Sequence, residues 1–163
     1  MKRLIIVLLF FFSLNSFAQE TTTYYFIRHA EKDRTDPNNA TPKLTPKGHQ
    51  RAVKWSEVFQ EVSFDAVYST DYSRTIETAL PTVNAKNLKL TKYDADVGYS
   101  LQFQKQTRGK TVLIVGHSNT IPQFVNAVLN EERYPQIEDD DNSNLYIVTL
   151  YGSKANSVLL KIE

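Results

Sequence analysis

Arg28 and His29 follow directly on the β-branched and aromatic run TTTYYFI, and a second histidine, His117, follows directly on TVLIVG. Between them in the chain, Ser69, Thr70 and Asp71 lead into Arg74. The chain has three histidines and no cysteine, so disulfides, thiolate metal sites and a cysteine nucleophile are excluded together. Two arginine forks match the oxygens of a phosphoryl group and neutralise its dianion. A neutral imidazole can attack phosphorus and form a covalent intermediate, dividing the transfer into two easier steps. Arg28 and Arg74 nearby would disfavour protonated His29 and keep its lone pair available. His117 can then donate a hydrogen bond to the oxygen on which charge accumulates. Arg74, in the first turn of a helix, would stand beside free N–H groups and a positive dipole end that favour an anion. This set suits phosphoryl transfer without a metal or a cofactor.

The elements that must position these residues alternate between strand and helix patterns. TTTYYFIR, Thr21 to Arg28, reads as a strand, and TDPNNATP is loop chemistry. LTPKGHQRAVKWSEVFQEV offers Thr45 as N-cap and Pro46 at the first helical position, with Ala52, Trp55, Val58, Phe59 and Val62 on one face. FDAVYST is a second short strand, after which Asp71 is expected to cap a helix that Pro81 bends or ends. NLKLTKYDA reads as an edge strand, a weak helical stretch spans Tyr99 to Gln106, and TVLIVG has the pattern of a fully buried strand. Ile121, Phe124, Val125, Val128 and Leu129 then form one helical stripe, and the end of the chain reads as a hairpin turning at Gly152 and Ser153. No repeat, linker or low-complexity tract interrupts this order. The pattern predicts an α/β fold, a three-layer α-β-α sandwich around a mostly parallel central sheet. Sites in such sheets form beyond the carboxyl ends of the strands, where Arg28-His29, Ser69-Thr70-Asp71 and His117 would all converge.

Residues 1–18 read as a secretory signal peptide: Lys2 and Arg3, the apolar run Leu4 to Phe12, and small residues Ser16 and Ala18 before a cut at Gln19. That run is far shorter than the roughly 20 residues that span a bilayer, so no stable membrane insertion is expected after cleavage. Without cysteine the segment has no lipid attachment point. Residues 19–163 are one domain's worth of chain, exported and, by the signal type, expected in a Gram-negative periplasm. Losing Lys2 and Arg3 from the 19 basic residues leaves 17 against 18 acidic ones, a formal charge of −1. A charge so close to zero points to no nucleic-acid surface, and electrostatics must act locally.

On these residues a family resemblance stands out. RHAEK, Arg28 to Lys32, resembles the R-H-G/A-E signature of the histidine phosphatase, or phosphoglycerate mutase-like, superfamily. LTPKG, Leu44 to Gly48, is similar to its L-T-x-x-G helix start, VYSTDYSRTIETA to its Y-S-S-x-x-x-R-x-x-x-T-A segment, and VGHSN to the segment bearing its second histidine. The four motifs stand in the family's order and cover nearly the whole of 19–163. The resemblance implies a phosphoglycerate mutase-like fold and a small phosphorylated substrate. It makes His29 the phosphorylated nucleophile, Arg28 and Arg74 the phosphate clamps and His117 the second pocket histidine, with Glu31 supporting the rim or serving as acid. The sequence departs from the pattern at the general acid, because Ser118 rather than an aspartate follows His117. Asp94, Asp96, Glu31 and the run Asp139 to Asp141 are the candidates, the last reading first as a solvated loop. A short chain without room for a large insertion resembles the small phosphohistidine phosphatases. Export argues against a cytoplasmic phosphorelay substrate, so the implied reaction is hydrolysis of a phosphomonoester, with a phosphoramidate or a mutase reaction as alternatives.

Other chemistries fit less well. VGHSNT imitates a serine nucleophile elbow, but Thr120 stands where a glycine is needed and no histidine follows Ser118. The spacings of His29, His49 and His117 match no zinc-ligand pair on one element, and His49 alone on a helix reads as structural or exposed. Arg74 could merely pair with Glu77 or Asp71, a contact worth a few tenths of a kcal/mol. A catalytically weak module that binds a phosphorylated ligand in the same pocket is the alternative outside enzymes.

Overall fold

A computed structural model describes residues 20–163; the expected signal peptide, residues 1–18, and its cut before Gln19 lie outside them. The elements are β1 (Thr21–Arg28), α1 (Pro46–Val58), β2 (Ala66–Ser69), α2 (Ser73–Ala85) and β3 (Leu90–Lys92), followed by α3 (Leu101–Thr107), β4 (Thr111–Gly116), α4 (Thr120–Leu129), β5 (Asn144–Tyr151) and β6 (Lys154–Lys161). The six strands form one sheet in the order β3-β2-β4-β1-β5-β6. The four on the β3 side run parallel, and β5 and β6 add an antiparallel hairpin.

Both faces of the sheet are covered, as its continuous apolar strands require. Trp55 and Phe59 of the α1 region and Ala79 and Val83 of α2 pack with Ile27, Leu113 and Val115. On the opposite face Phe103 of α3 and Ile121, Phe124, Val125 and Val128 of α4 pack with Tyr24, Phe26, Val112 and Ile114. These are the alternate residues of β1 and β4, so the strand period of two divides the core into its two halves. The chain therefore leaves β1 for one face and leaves the adjacent β4 for the other. That reversal places the crevice of the sheet beyond the ends of β1 and β4. Arg28 pairs with Gly116 in register, and His29 N–H donates to the Gly116 carbonyl at 2.9 Å. The two histidines thus flank the crevice.

Several expectations are corrected. Asp71 does not cap α2: Tyr72 holds that position without a side-chain cap, and Asp71 pairs with Lys92 at 2.8 Å. Pro81 does not end α2, which continues to Ala85. An interior proline costs about 3 kcal/mol, yet Thr82 and Val83 beyond it are buried against the sheet and hold the last turn in place. Val58 turns outward at 37% exposure, and Val62 packs on the core from beyond the helix end. Among the described residues, no helix is long and apolar enough to cross a membrane.

Candidate active site

His29 and Arg28 sit where β1 meets the crevice, 3% and 2% exposed. His29 Nδ1 lies 2.8 Å from the carbonyl oxygen of Ala30. A carbonyl can only accept, so Nδ1 carries the ring hydrogen and Nε2 keeps a free lone pair. Burial above all, then Arg28, His117 and Arg74, pushes the imidazole down to about 3, although the Ala30 carbonyl opposes the shift. His29 is therefore a neutral imidazole at physiological pH. Beyond the bond from its N–H to Gly116, the backbone around it is fixed at two further groups. Asn142 donates to the His29 carbonyl at 2.8 Å. Ala30 N–H donates to Thr78 Oγ1 at 2.9 Å, and Thr78 in turn donates to the carbonyl of Arg74 at 2.6 Å. One threonine thus joins the loop after His29 to the helix that bears Arg74.

The start of α1 braces the same loop. Thr45 Oγ1 caps the helix by accepting from Gly48 N–H at 3.0 Å, and Thr45 N–H donates to the Glu31 carbonyl at 2.9 Å. A Cβ on Gly48 would fall 2.2 Å from that carbonyl oxygen, so the close approach admits only glycine. The Glu31 carboxylate points to Arg51, whose Nε lies 3.0 Å from each oxygen, with Lys47 at 3.4 Å. Desolvation raises Glu31, but its own backbone N–H, Arg51 and Lys47 outweigh it and hold the carboxyl below its ordinary value. Such a group supports the rim as an anion and is poorly suited to donate a proton.

Arg28 is anchored from the loop before β5. Its Nη1 donates to the Glu138 and Asp141 carbonyls at 2.8 and 2.9 Å, and its Nη2 lies 3.0 Å from Asp139 Oδ1. Asp139 also meets Arg34 at 2.7 Å, and Arg34 first, then Arg28, holds it below the ordinary carboxylate value. The acidic run is thus not merely solvated loop. A fully buried guanidinium needs acceptors, and these residues supply them. Asp141 instead accepts from Ser143 and pairs with Lys161; burial opposes the shift, but these partners hold its carboxyl at about 2.

Arg74 makes neither of the pairings that would leave it a surface residue: Glu77 accepts from Leu44 N–H at 2.8 Å, and Asp71 is taken by Lys92. Its guanidinium lies over the Tyr72 ring at 4.4 Å, donates to the Ala40 carbonyl at 3.2 Å, and reaches His117 Nδ1 at 3.5 Å. The Tyr72 ring also meets His117 edge-on, at 5.0 Å between centroids. The His29 and His117 rings are 5.5 Å apart. Burial first, then Arg74, Lys32 and Arg28, pushes His117 down to about 4. Nε of Arg28 and Nε of Arg74 are both buried without a partner. Buried donors left unpaired cost about 1–3 kcal/mol each, so both guanidinium groups carry unmet hydrogen-bonding capacity.

Two hollows open here. One of about 690 Å³ contains Arg28, His29, Lys32, Arg34 and Asp139. The other, of about 640 Å³, contains Tyr72, Arg74, Tyr93, Asp94, Asp96 and His117. The hollows divide the four residues into Arg28 with His29 and Arg74 with His117, and the 5.5 Å between the histidine rings joins the two pairs; Glu31 stands at the rim, and His49 is left out with its side chain 58% exposed. Sequence reasoning set Thr70 at the shared sheet edge without giving it a role, and it missed Tyr72, Thr78, Asn142 and the contact that Asp139 makes with Arg28. Thr78 carried a signal as the threonine of the segment after Arg74.

The family model of the histidine phosphatase superfamily (branch 1) matches residues 24–95. No curated protein matches the chain in sequence. The fold is shared with the protein histidine phosphatase SixA complexed with tungstate, at 16% identity and a TM-score of 0.69 over 85% of this chain and 96% of that one. It is also shared with a phosphoglycerate mutase from Bacillus anthracis, at 14% identity and a TM-score of 0.68 over 87% and 93%. A SixA from Agrobacterium tumefaciens, at 18% identity, gives a TM-score of 0.64 over 85% and 97%.

Proposed function

As a small member of the histidine phosphatase superfamily, this protein, we propose, is an exported phosphatase that hydrolyses a phosphomonoester through a phosphohistidine at His29, without a metal. The observation that carries the reading is the state of His29. Its Nδ1–H is fixed on the Ala30 carbonyl, so the lone pair of Nε2 is free, and the ring stays neutral beside two unpaired guanidinium N–H groups. In the first step Nε2 forms a bond to phosphorus and the ester P–O bond breaks, the leaving oxygen taking a proton from solvent that the attacking water gives back in the second step. Water then attacks phosphorus, the P–N bond breaks, and inorganic phosphate leaves while Nε2 recovers its lone pair. Arg28, Arg74 and His117 stabilise the charge on the phosphoryl oxygens in both steps. Charge neutralisation by two arginines is what makes a metal unnecessary in this scheme.

A phosphoramidate substrate is the second reading, and one observation favours it. Two of the candidate acids, Glu31 on Arg51 and Lys47 and Asp139 on Arg34 and Arg28, are held below the ordinary carboxyl value, and a phosphoramidate needs less help from an acid at its leaving group. Mass spectrometry of the protein recovered from a periplasmic fraction tests export, with Gln19 expected at its start. Function is tested with wild type and His29→Ala on a small activated aryl phosphate, without added metal. Phosphate release that vanishes in the variant, with acid-labile and base-stable phosphate trapped on the wild type, is the expected result. A folded wild type with neither release nor phosphoenzyme overturns the catalytic reading and leaves a phospho-ligand binding module.

A further inference from the structure

Behind His117 runs a chain of hydroxyl groups that the reaction scheme does not use. Thr70 Oγ1 lies 3.0 Å from His117 Nε2 and 2.9 Å from Thr75 Oγ1. Thr75 Oγ1 is 2.9 Å from the carbonyls of Thr70 and Tyr72. Both threonines are buried, 2% and 0% exposed, so no solvent substitutes for these partners.

The directions of these bonds follow from the end of the chain. Carbonyl oxygens only accept, so the single hydroxyl hydrogen of Thr75 is directed to them. Thr75 must then accept from Thr70, and Thr70, its own hydrogen committed, must accept from His117. The imidazole hydrogen therefore resides on Nε2. The other side of the ring agrees: Nδ1 faces Arg74 Nη2 at 3.5 Å, and a guanidinium offers only hydrogens. Thr70 is itself held by the fold, its N–H donating to the Val115 carbonyl at 3.4 Å in continuation of the β2–β4 pairing.

We propose that Thr70 is a positioning residue that keeps the hydrogen of His117 on Nε2, so that Nδ1 takes up the proton of a monoanionic phosphoryl group as that group binds. The inference rests on the reading that the phosphoryl group lies between Arg28, Arg74 and His117. In the step, the O–H bond of the monoanion breaks and an Nδ1–H bond forms, giving a dianion and an imidazolium. The ring then donates Nδ1–H to a phosphoryl oxygen and Nε2–H to Thr70. In the free protein Arg74, Lys32 and Arg28 oppose a charge on this ring. The dianion arriving among them removes that opposition. Asp94 and Asp96 line the same hollow, as do Asp71 and Lys92, which pair with each other at 2.8 Å.

Nitrogen-15 NMR of the histidine rings in the full protein, titrated with inorganic phosphate, tests this. Free wild type is expected to show His117 neutral with its hydrogen on Nε2, and phosphate-bound wild type to show both ring nitrogens protonated. Thr70→Val removes the acceptor of Nε2–H and is expected to mix the two tautomers and weaken phosphate binding about tenfold, whereas Thr70→Ser restores both readouts. Wild type with its hydrogen on Nδ1, or a Thr70→Val spectrum identical to wild type, overturns the role of Thr70 while leaving the phosphate pocket standing. Neither histidine responding to phosphate in wild type overturns the pocket itself, and the inference with it.

Discussion

Burial of a neutral His29 has a thermodynamic consequence that can be read without any substrate. Its pKa falls from an ordinary 6.5 in the unfolded chain to about 3 in the folded protein. Between those values the unfolded chain binds a proton that the folded protein refuses, so stability is complete above 6.5 and declines as the pH drops toward 3. The limiting slope is about 1.4 kcal/mol per pH unit. Integrated from pH 7 to pH 5 with these two pKa values, the loss attributable to His29 is about 2 kcal/mol. His117 lies in the same window, lowered to about 4, and adds in the same direction. The carboxylates do not interfere. Asp141 sits at about 2 against an ordinary 3.8, so its contribution is lost only below the interval. Urea unfolding of wild type and His29→Gln at pH 5, 6, 7 and 8 is the assay, with the pH dependence rather than the absolute stability as readout. The variant is expected to lose about 2 kcal/mol less than wild type between pH 7 and pH 5. The same pH dependence in both proteins would refute the neutral, buried state of His29 and with it the account of the nucleophile.

Two further substitutions probe how the site is held. Gly48→Ala drives a methyl group into the backbone carbonyl of Glu31 at 2.2 Å and is expected to cost about 1–3 kcal/mol in thermal unfolding together with a loss of aryl phosphate hydrolysis. Asp139→Asn removes the anion that competes for Arg28 while the Glu138 and Asp141 carbonyls still hold the guanidinium. Inorganic phosphate should then inhibit the variant about fivefold more tightly than wild type, and unchanged or weaker inhibition would show that Asp139 positions Arg28 rather than competing at it.

Much of the fold was legible because its signals are local. The β-branched and aromatic runs of β1 and β4 and the N-cap of α1 at Thr45 are each decided by side chains within a few residues of one another. Where a local signal met a tertiary contact, the contact prevailed. Asp71 has the chemistry of a cap but is drawn to Lys92 on the edge strand, and Pro81 stays inside α2 because the next turn is buried. The motif residues Arg28, His29, Arg74 and His117 could be chosen from the sequence, since their types and their places after strands already imply one edge of a parallel sheet.

The state of those residues is another matter. Nothing in the order of the amino acids says that His29 Nδ1 meets its neighbour's carbonyl, or that Asp139, 110 positions beyond His29 in the chain, would sit on Arg28. Nor does it say that Thr70 would turn its hydrogen to Thr75 and so accept one from His117 Nε2. Residue identity is a property of the chain, whereas protonation, tautomer and charge pairing depend on distance and desolvation, which arise only when strands and loops far apart in sequence close around one crevice. The sequence by itself determined which groups could do the chemistry and at which edge of the sheet they would meet. Only the tertiary structure decided which nitrogen holds a hydrogen, which guanidinium N–H is free, and which carboxylate remains an anion.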